Sequence, residues 1–583
     1  MRYLLGADCR SLAVLRIGVG MIVILDICQR LSDLEAHYTD FGVAPRSLII
    51  ENLDSRWLAS LFFLSGAWQV EFFLFLAAGI LGVMLLIGYR TRLATIGCWI
   101  FLTSLDVRNP YVAQGGDMLL RIVVFWSMFL PLGARFSVDS AWNHQQGNAS
   151  KHVFSVGTVA YTAQIVAMYW FSVLAKSGVE WWREGSAVYY ALSIDYMVTP
   201  LGSLVLQLPS IILKFATWSV LSFEACGPLL LLSPWFTGPL RTFAVFGFVA
   251  LHCAFLLTLF VGVFPLIGIV SVLFFLPPWF WDNLLPKLKP SSQMALTVYY
   301  NLECRLCWKI VQLLKTFLLS SQMKILPAQS SATIQAAAGC DKLWTVVDES
   351  GRRFFGYQGL TVLVQSSMLF AWLGPILRLS VIEKVGNRVF NYATKPQLHS
   401  CGTGQSTSIP LPLKLQPSTG VSFVTMILMV YTIAWNIANL PNSPIELSER
   451  LRSVGNLVGL HQSWELFAPF PAKDDGWYVI PGLLGDGRQL DLFRGGAELD
   501  WRKPQYIALT IKNNRWRKFL EALRRKEPLR KGYAGYLCRE WNRRHSGSET
   551  VQALDIIYML EWTKPNFEYS EPRRMRILKY HCG

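Results

Sequence analysis

The chain has 583 residues, too many for one ordinary domain. Hydrophobic residues make up 52% and charged residues only 16%, where soluble proteins carry about a quarter charged, so the composition excludes a wholly soluble protein. The net charge is +16, from 54 Lys+Arg against 38 Asp+Glu. Basic loops facing acidic lipid account for that excess; no basic helix or aromatic platform stands apart from the oily segments to bind nucleic acid.

The opening run "MRYLLGADCRSLAVLRIGVGMIVILDICQRL" is interrupted by Arg16 and Asp26 and followed by no small-residue cleavage site, so it reads as a retained first span. A span needs roughly 20 apolar residues. Residues 12–31, 70–88, 153–174, 215–233, 238–260, 262–281 and 421–440 qualify, while 93–106 and 118–133 are short, as tilted or broken spans are. The total is about eight or nine. Broken helices at membrane depth need cover for their free backbone groups, which points to a polar interior near residues 106–121.

Residues 282–420 change character. "LKPSSQ" opens a hinge, "ALTVYY" reads as a strand, "CRLCWKIVQLLKTF" as a helix, and "LWTVVDESGRRFFG" as a hairpin turning at Gly351, with helical pattern from 357 to 394. A Pro/Gly-rich linker follows, 397–420, then the last span. The basic tail, 441–583, holds a hairpin turning at Asp486-Gly487, a basic amphipathic helix over 513–533 and a strand "VQALDIIYMLEW". If 421–440 spans, the tail and the cysteine-bearing unit lie on opposite faces; Arg90, Arg92, Arg135 and Lys151 favour the cysteine unit inside and the tail outside.

Ionisable residues inside spans are functional candidates by default. Asp117 and Arg121, four apart, can pair on one helical face, either locking two helices together or lining a pocket. Glu224 and His252 are the other deep polar residues; a lone His in a span is an interhelical hydrogen-bonding residue more often than a ligand, and two such groups define no metal site. Lys176 ends one span, where it either snorkels to the interface or, held in an apolar pocket, loses its proton and serves as a base.

The stretches "DCRSLAVLRIGVGMIVILD", "RNPYVAQGGDMLLR…FLPLGARFSVD" and "LAKSGVEWWREGSAVYYALS" resemble the HTTM family over roughly residues 5–285. That family includes the vitamin K-dependent gamma-carboxylase and many bacterial membrane proteins, some linked to peptide-toxin maturation. By this resemblance Lys176 falls near the lysine proposed to deprotonate vitamin K hydroquinone. The carboxylase has paired lysines there, and this chain has Ala175-Lys176-Ser177. The resemblance implies an HTTM-type transmembrane domain over 1–285, a quinone or vitamin K-type lipid as cofactor, and a bacterial inner-membrane location.

Cys304 and Cys307 form a Cys-x-x-Cys at a helix start. The helix dipole and free amides stabilise a thiolate there, so Cys304 would attack a disulfide and Cys307 resolve it. Inert thiols, or half of a zinc site, are the other readings; only Cys340, His399 and Cys401 are near enough in sequence to complete one. The unit also looks like a DCC-type thiol–disulfide oxidoreductase domain over 294–396, although that family's Asp-Gly-Asp-Cys is replaced by Asn301, Leu302 and Glu303, and no proline lies between 328 and 374.

The fold class expected is a polytopic α-helical membrane protein with a small thioredoxin-like α/β domain and a C-terminal α+β soluble domain. The function expected is a membrane thiol–disulfide oxidoreductase whose polar membrane pocket, formed by Lys176, Asp117, Arg121, Glu224 and His252, takes a quinone-type lipid or a peptide. The alternatives are a non-catalytic scaffold or immunity-type partner and, from the resemblance alone, a gamma-glutamyl carboxylase-like enzyme. Membrane lipid and a thiol or disulfide protein or peptide are the expected partners; nucleic acid and a metal are not.

Overall fold

The computed structural model describes residues 2–53, 58–143, 151–287, 295–301, 305–318, 323–330, 344–367, 370–398, 416–441, 443–565 and 568–582. Among the described residues, five helices are long and apolar enough to cross a membrane: Cys9–Leu31, Trp68–Ile87, Val156–Ala175, Thr237–Thr258 and Thr419–Ala438. Two bent pairs, Pro200–Leu206 with Ser210–Leu231 and Phe264–Leu273 with Pro278–Leu284, raise the number to seven if each is one span. The larger number expected from sequence also includes Thr91–Arg108, which carries Arg92, Asp106 and Arg108, and Gly115–Ser127, only 13 residues long. Both pack into the same bundle, where charge and shortness are covered by neighbouring helices rather than lipid.

Helix faces sort as a bilayer requires. On Trp68–Ile87, Phe73, Leu76, Ile80 and Val83 are exposed at helical spacing while Phe75, Ala78 and Leu85 are buried, so an all-apolar helix shows one face to lipid and one to the bundle. Val156–Ala175 begins at a capping box, Ser155 with Thr158, and is buried along much of its length. Gly116 allows a close backbone approach: a Cβ there would lie 2.6 Å from the Phe264 amide nitrogen. Its neighbour Gly115 has ordinary room.

The chain's two non-membrane regions sit at opposite ends of the bundle. At one end Ala7–Asp8 pairs with His152–Val153, Gln416 donates to the Phe154 carbonyl at 3.2 Å, and Lys309 of the cysteine-bearing region stands 4.6 Å over the Trp142 ring. At the other end the tail holds the loop after the first span, with Lys512 on Asp33 at 2.5 Å and Arg539 on the Phe41 carbonyl at 2.9 Å. Thr419–Ala438 runs between them, and Asn439 just beyond it meets the Gln462 carbonyl at 3.0 Å.

The cysteine-bearing region has a four-stranded sheet ordered Lys324–Pro327, Thr297–Tyr300, Trp344–Val347, Arg353–Phe355. The first two strands are parallel, joined through the helix Arg305–Phe317, and the others are antiparallel. Gly351, at φ +81°, makes the last turn. Helices Gly356–Gln365 and Ser380–Leu398 complete it.

In the tail, Val551–Trp562 is the central strand. Arg573–His581 pairs along one side, and Asp474–Val479 and Pro481–Leu484 share the other. Gln489–Asp491 returns through the turn at Gly487, φ +86°. The single basic helix expected over 513–533 is two, Asn514–Arg525 and Glu527–Asn542, because Pro528 has no amide to continue the first and suits the opening turn of the second. A disulfide, Cys538–Cys582, ties that second helix to the end of the sheet with Cα atoms 5.7 Å apart.

Candidate functional site

Tyr169, Ser172 and Lys176 sit at the C-terminal end of Val156–Ala175 with spacings of three and four, so they share one face. Ser210–Leu231 brings Glu224 opposite them and Thr237–Thr258 brings His252. The Lys176 ammonium donates to Glu224 Oε2 at 2.7 Å and to Ser172 Oγ at 2.6 Å, with the Ser172 carbonyl at 3.4 Å. It also stands 5.1 Å from the Trp181 ring, and both members of the ion pair are buried. Next to them the Tyr169 hydroxyl and His252 Nε2 are 2.9 Å apart, while His252 Nδ1 has no hydrogen-bond partner among the described residues.

These groups line one cavity of about 550 Å3. Its walls are largely apolar, with Met168, Leu251, Phe255 and Phe264, and the tail closes it through the stretch from Trp464 to Phe470. Two hydrogen bonds hold that closure: Trp181 Nε1 donates to the Phe467 carbonyl at 3.0 Å and the Gly178 amide to the Pro469 carbonyl at 3.0 Å. Arg517, Lys518, Glu521 and Arg525 from the tail helix line the same cavity. A mostly apolar chamber of this size with a few convergent polar groups is the usual form of a small-ligand site.

Asp117 and Arg121 do not belong to it, and they do not pair with each other. Asp117 lies 3.1 Å from Arg30 and 2.9 Å from Arg515, while Arg121 binds Asp106 at 2.5 Å and the carbonyls of Gly459 and His461 at 3.0 and 2.9 Å. Arg30 also takes Asp26, its i+4 partner, at 2.8 Å, and Arg515 meets Asp26 too. The physical reason is stoichiometric. Three buried carboxylates and three guanidinium groups share one interior, and Asp117 is better satisfied between Arg30 and Arg515, from two other elements, than by the single neighbour on its own helix. Arg515 comes from the tail, so this cluster fastens the tail to the bundle.

Cys307 is buried in the first turn of Arg305–Phe317 and is disulfide-bonded; Cys304 lies outside the described residues. Among the described residues no cluster of His, Cys, Asp and Glu is arranged to hold a metal ion. Lys176, Glu224 and His252 therefore share the cavity, Asp117 and Arg121 share the clamp, and the cysteine-bearing helix sits at the other end of the bundle. Sequence reasoning missed Tyr169, Ser172 and Trp181; the first two were discoverable from their helical register with Lys176.

Residues 6–279 match the HTTM domain. The HTTM region contains Lys176, Glu224 and His252 and the helices that carry them, and it ends before the cysteine-bearing region and the tail. Together with the apolar helices it fits a membrane protein. No curated protein and no solved structure matches the chain.

Proposed function

We propose that the protein is an integral-membrane redox enzyme. Its HTTM cavity takes a largely apolar, quinone-type lipid and exchanges a proton with the lipid's hydroxyl through Lys176 and Glu224. The observation that carries this reading is the buried Lys176–Glu224 pair in the wall of an apolar cavity. As the Lys176 ammonium passes a proton to the Glu224 carboxylate, its nitrogen takes one from a hydroxyl brought against it, so the pair accepts one proton in all. Tyr169 and His252 are placed to bind a second oxygen of the same ligand.

The cysteine-bearing region is read as the thiol–disulfide half of the enzyme. A disulfide-bonded Cys307 in the first turn of a helix and the strand order of its sheet support this. Quinol plus disulfide gives quinone plus two thiols, with two electrons and two protons passing between them. Because the cavity closes on the tail while the cysteine helix packs at the other end, a lipid-soluble quinone, mobile in the bilayer, is what connects the two.

The test is consumption of a reduced naphthoquinol by membranes carrying the protein. Lys176→Ala should abolish it, and unchanged turnover would remove the reading's main support. A peptide entering from the tail side is the second reading, favoured by the charged residues Arg517, Lys518, Glu521 and Arg525 at that wall. Under it the protein is a scaffold, and replacing both Cys304 and Cys307 by serine leaves its biological activity intact.

A further inference from the structure

The helix Ser380–Leu398 in the cysteine-bearing region is turned the wrong way round for a soluble surface. Val381, Val385, Val389 and Tyr392 are 71%, 54%, 62% and 82% exposed. Spacings of four, four and three residues put them in one stripe along the helix. Its opposite face is already used: Gly386 lies against the Tyr357 ring, and Phe390 meets Trp344 edge-on with centroids 5.3 Å apart. The apolar stripe is therefore not a core face awaiting its own domain. Trp372 and Leu379, just before the helix, extend the patch at 67% and 56% exposure.

Charge says what covers it. Lys384 and Arg388 are exposed beside the stripe and Arg378 is exposed just before it, against a single acidic residue, Glu383, in the helix. Position agrees. The region follows Pro278–Leu284, a helix bent 90° from the apolar helix before it, and it leads into Thr419–Ala438, which crosses the bundle. Its chain is thus held at both ends to the same end of the membrane bundle, where Lys309 docks on Trp142. An apolar stripe edged by cations, with aromatic residues at its margin and a bilayer within reach, has the form of a helix lying in the interface plane.

We propose that Ser380–Leu398 is an interfacial membrane anchor, with Val381, Val385, Val389 and Tyr392 in the headgroup–acyl boundary and Lys384 and Arg388 on anionic headgroups. It holds the cysteine-bearing region flat against the lipid. The proposal is independent of what the HTTM cavity binds.

The full chain in lipid nanodiscs tests it. An environment-sensitive fluorescent amino acid replaces Val385, or Tyr392 as a second position, and Ser350 in the exposed hairpin turn serves as control. Nitroxide-labelled acyl chains should quench the probe at 385 and 392 several-fold more strongly than at 350, with blue-shifted emission. Discs containing phosphatidylglycerol should give stronger quenching than phosphatidylcholine alone, and K384Q with R388Q should remove that difference. Water-like emission with no extra quenching at either position overturns the proposal. So does a blue shift that follows protein concentration and ignores the nitroxide, which would make the stripe a contact between copies of the chain.

Discussion

Lys176 Nζ and Glu224 Oε2 lie 2.7 Å apart between two helices, both buried, at the wall of the cavity. Lys176→Met leaves a buried carboxylate without its cation, which costs about 3–5 kcal/mol in comparable cases. Thermal unfolding in detergent should show that loss. Adding Glu224→Gln to Lys176→Met should recover most of the stability while quinol turnover stays absent. A double variant no more stable than the single one would mean that the pair's role is not electrostatic.

The Arg515 guanidinium reaches from the tail to Asp117 and Asp26 in the bundle. Arg515→Leu leaves Arg30 as the one cation shared by both carboxylates, so the tail should detach before the bundle unfolds, at a cost below the roughly 3–5 kcal/mol of a fully unpaired buried charge. Limited proteolysis should cut the variant between the last apolar helix and the tail sheet under conditions that leave the parent intact. Arg515→Lys keeps the charge but not the forked geometry and should fall between the two.

His37, in the loop that the tail covers, gives that docking a pH dependence. Burial pushes its imidazole down to about 3, with nearby Arg515, Lys512 and Arg30 adding to the effect and Asp33 opposing it. The ring packs 4.5 Å from Trp516 of the tail, and among the described residues neither nitrogen has a hydrogen-bond partner. A histidine whose folded value is depressed stabilises the docked form above its ordinary value of about 6.5. That stability is lost as pH falls from there towards 3, because the undocked form binds the proton first. Protease sensitivity of the tail should rise through this window, and His37→Phe should flatten the rise.

Cys538–Cys582 closes a loop across 44 residues of the tail. Chain-entropy arguments put the effect of such a cross-link at about 4 kcal/mol. Cys538→Ala should lower the unfolding temperature of the tail, and reductant should lower that of the parent to match. Reductant that leaves the parent unchanged would mean the bond is absent in solution.

The fold was legible wherever periodicity is local. The strand read in "VQALDIIYMLEW" is Val551–Trp562, and the turn read at Asp486-Gly487 joins Pro481–Leu484 to Gln489–Asp491. What stayed hidden was pairing between distant segments. Asp117 looked like a partner for Arg121 because they are four apart, yet it meets Arg515, 398 positions away. No local pattern marks that distance, or the spacing of Cys538 and Cys582. Lys176, Glu224 and His252 stood out singly, as polar residues in oily runs, but only three-dimensional packing shows that one cavity holds all three and leaves Asp117 and Arg121 outside.

The most direct test of the central claim is photolabelling of the full-length protein in membranes with a photoreactive quinone, followed by peptide mapping. The account predicts adducts on the cavity-lining peptides around Tyr169, Phe255 and Phe467, displaced by excess unlabelled quinol and reduced in Lys176→Met. Adducts spread over the lipid-facing residues Phe73, Leu76 and Ile80, indifferent to competitor and to Lys176, would contradict it.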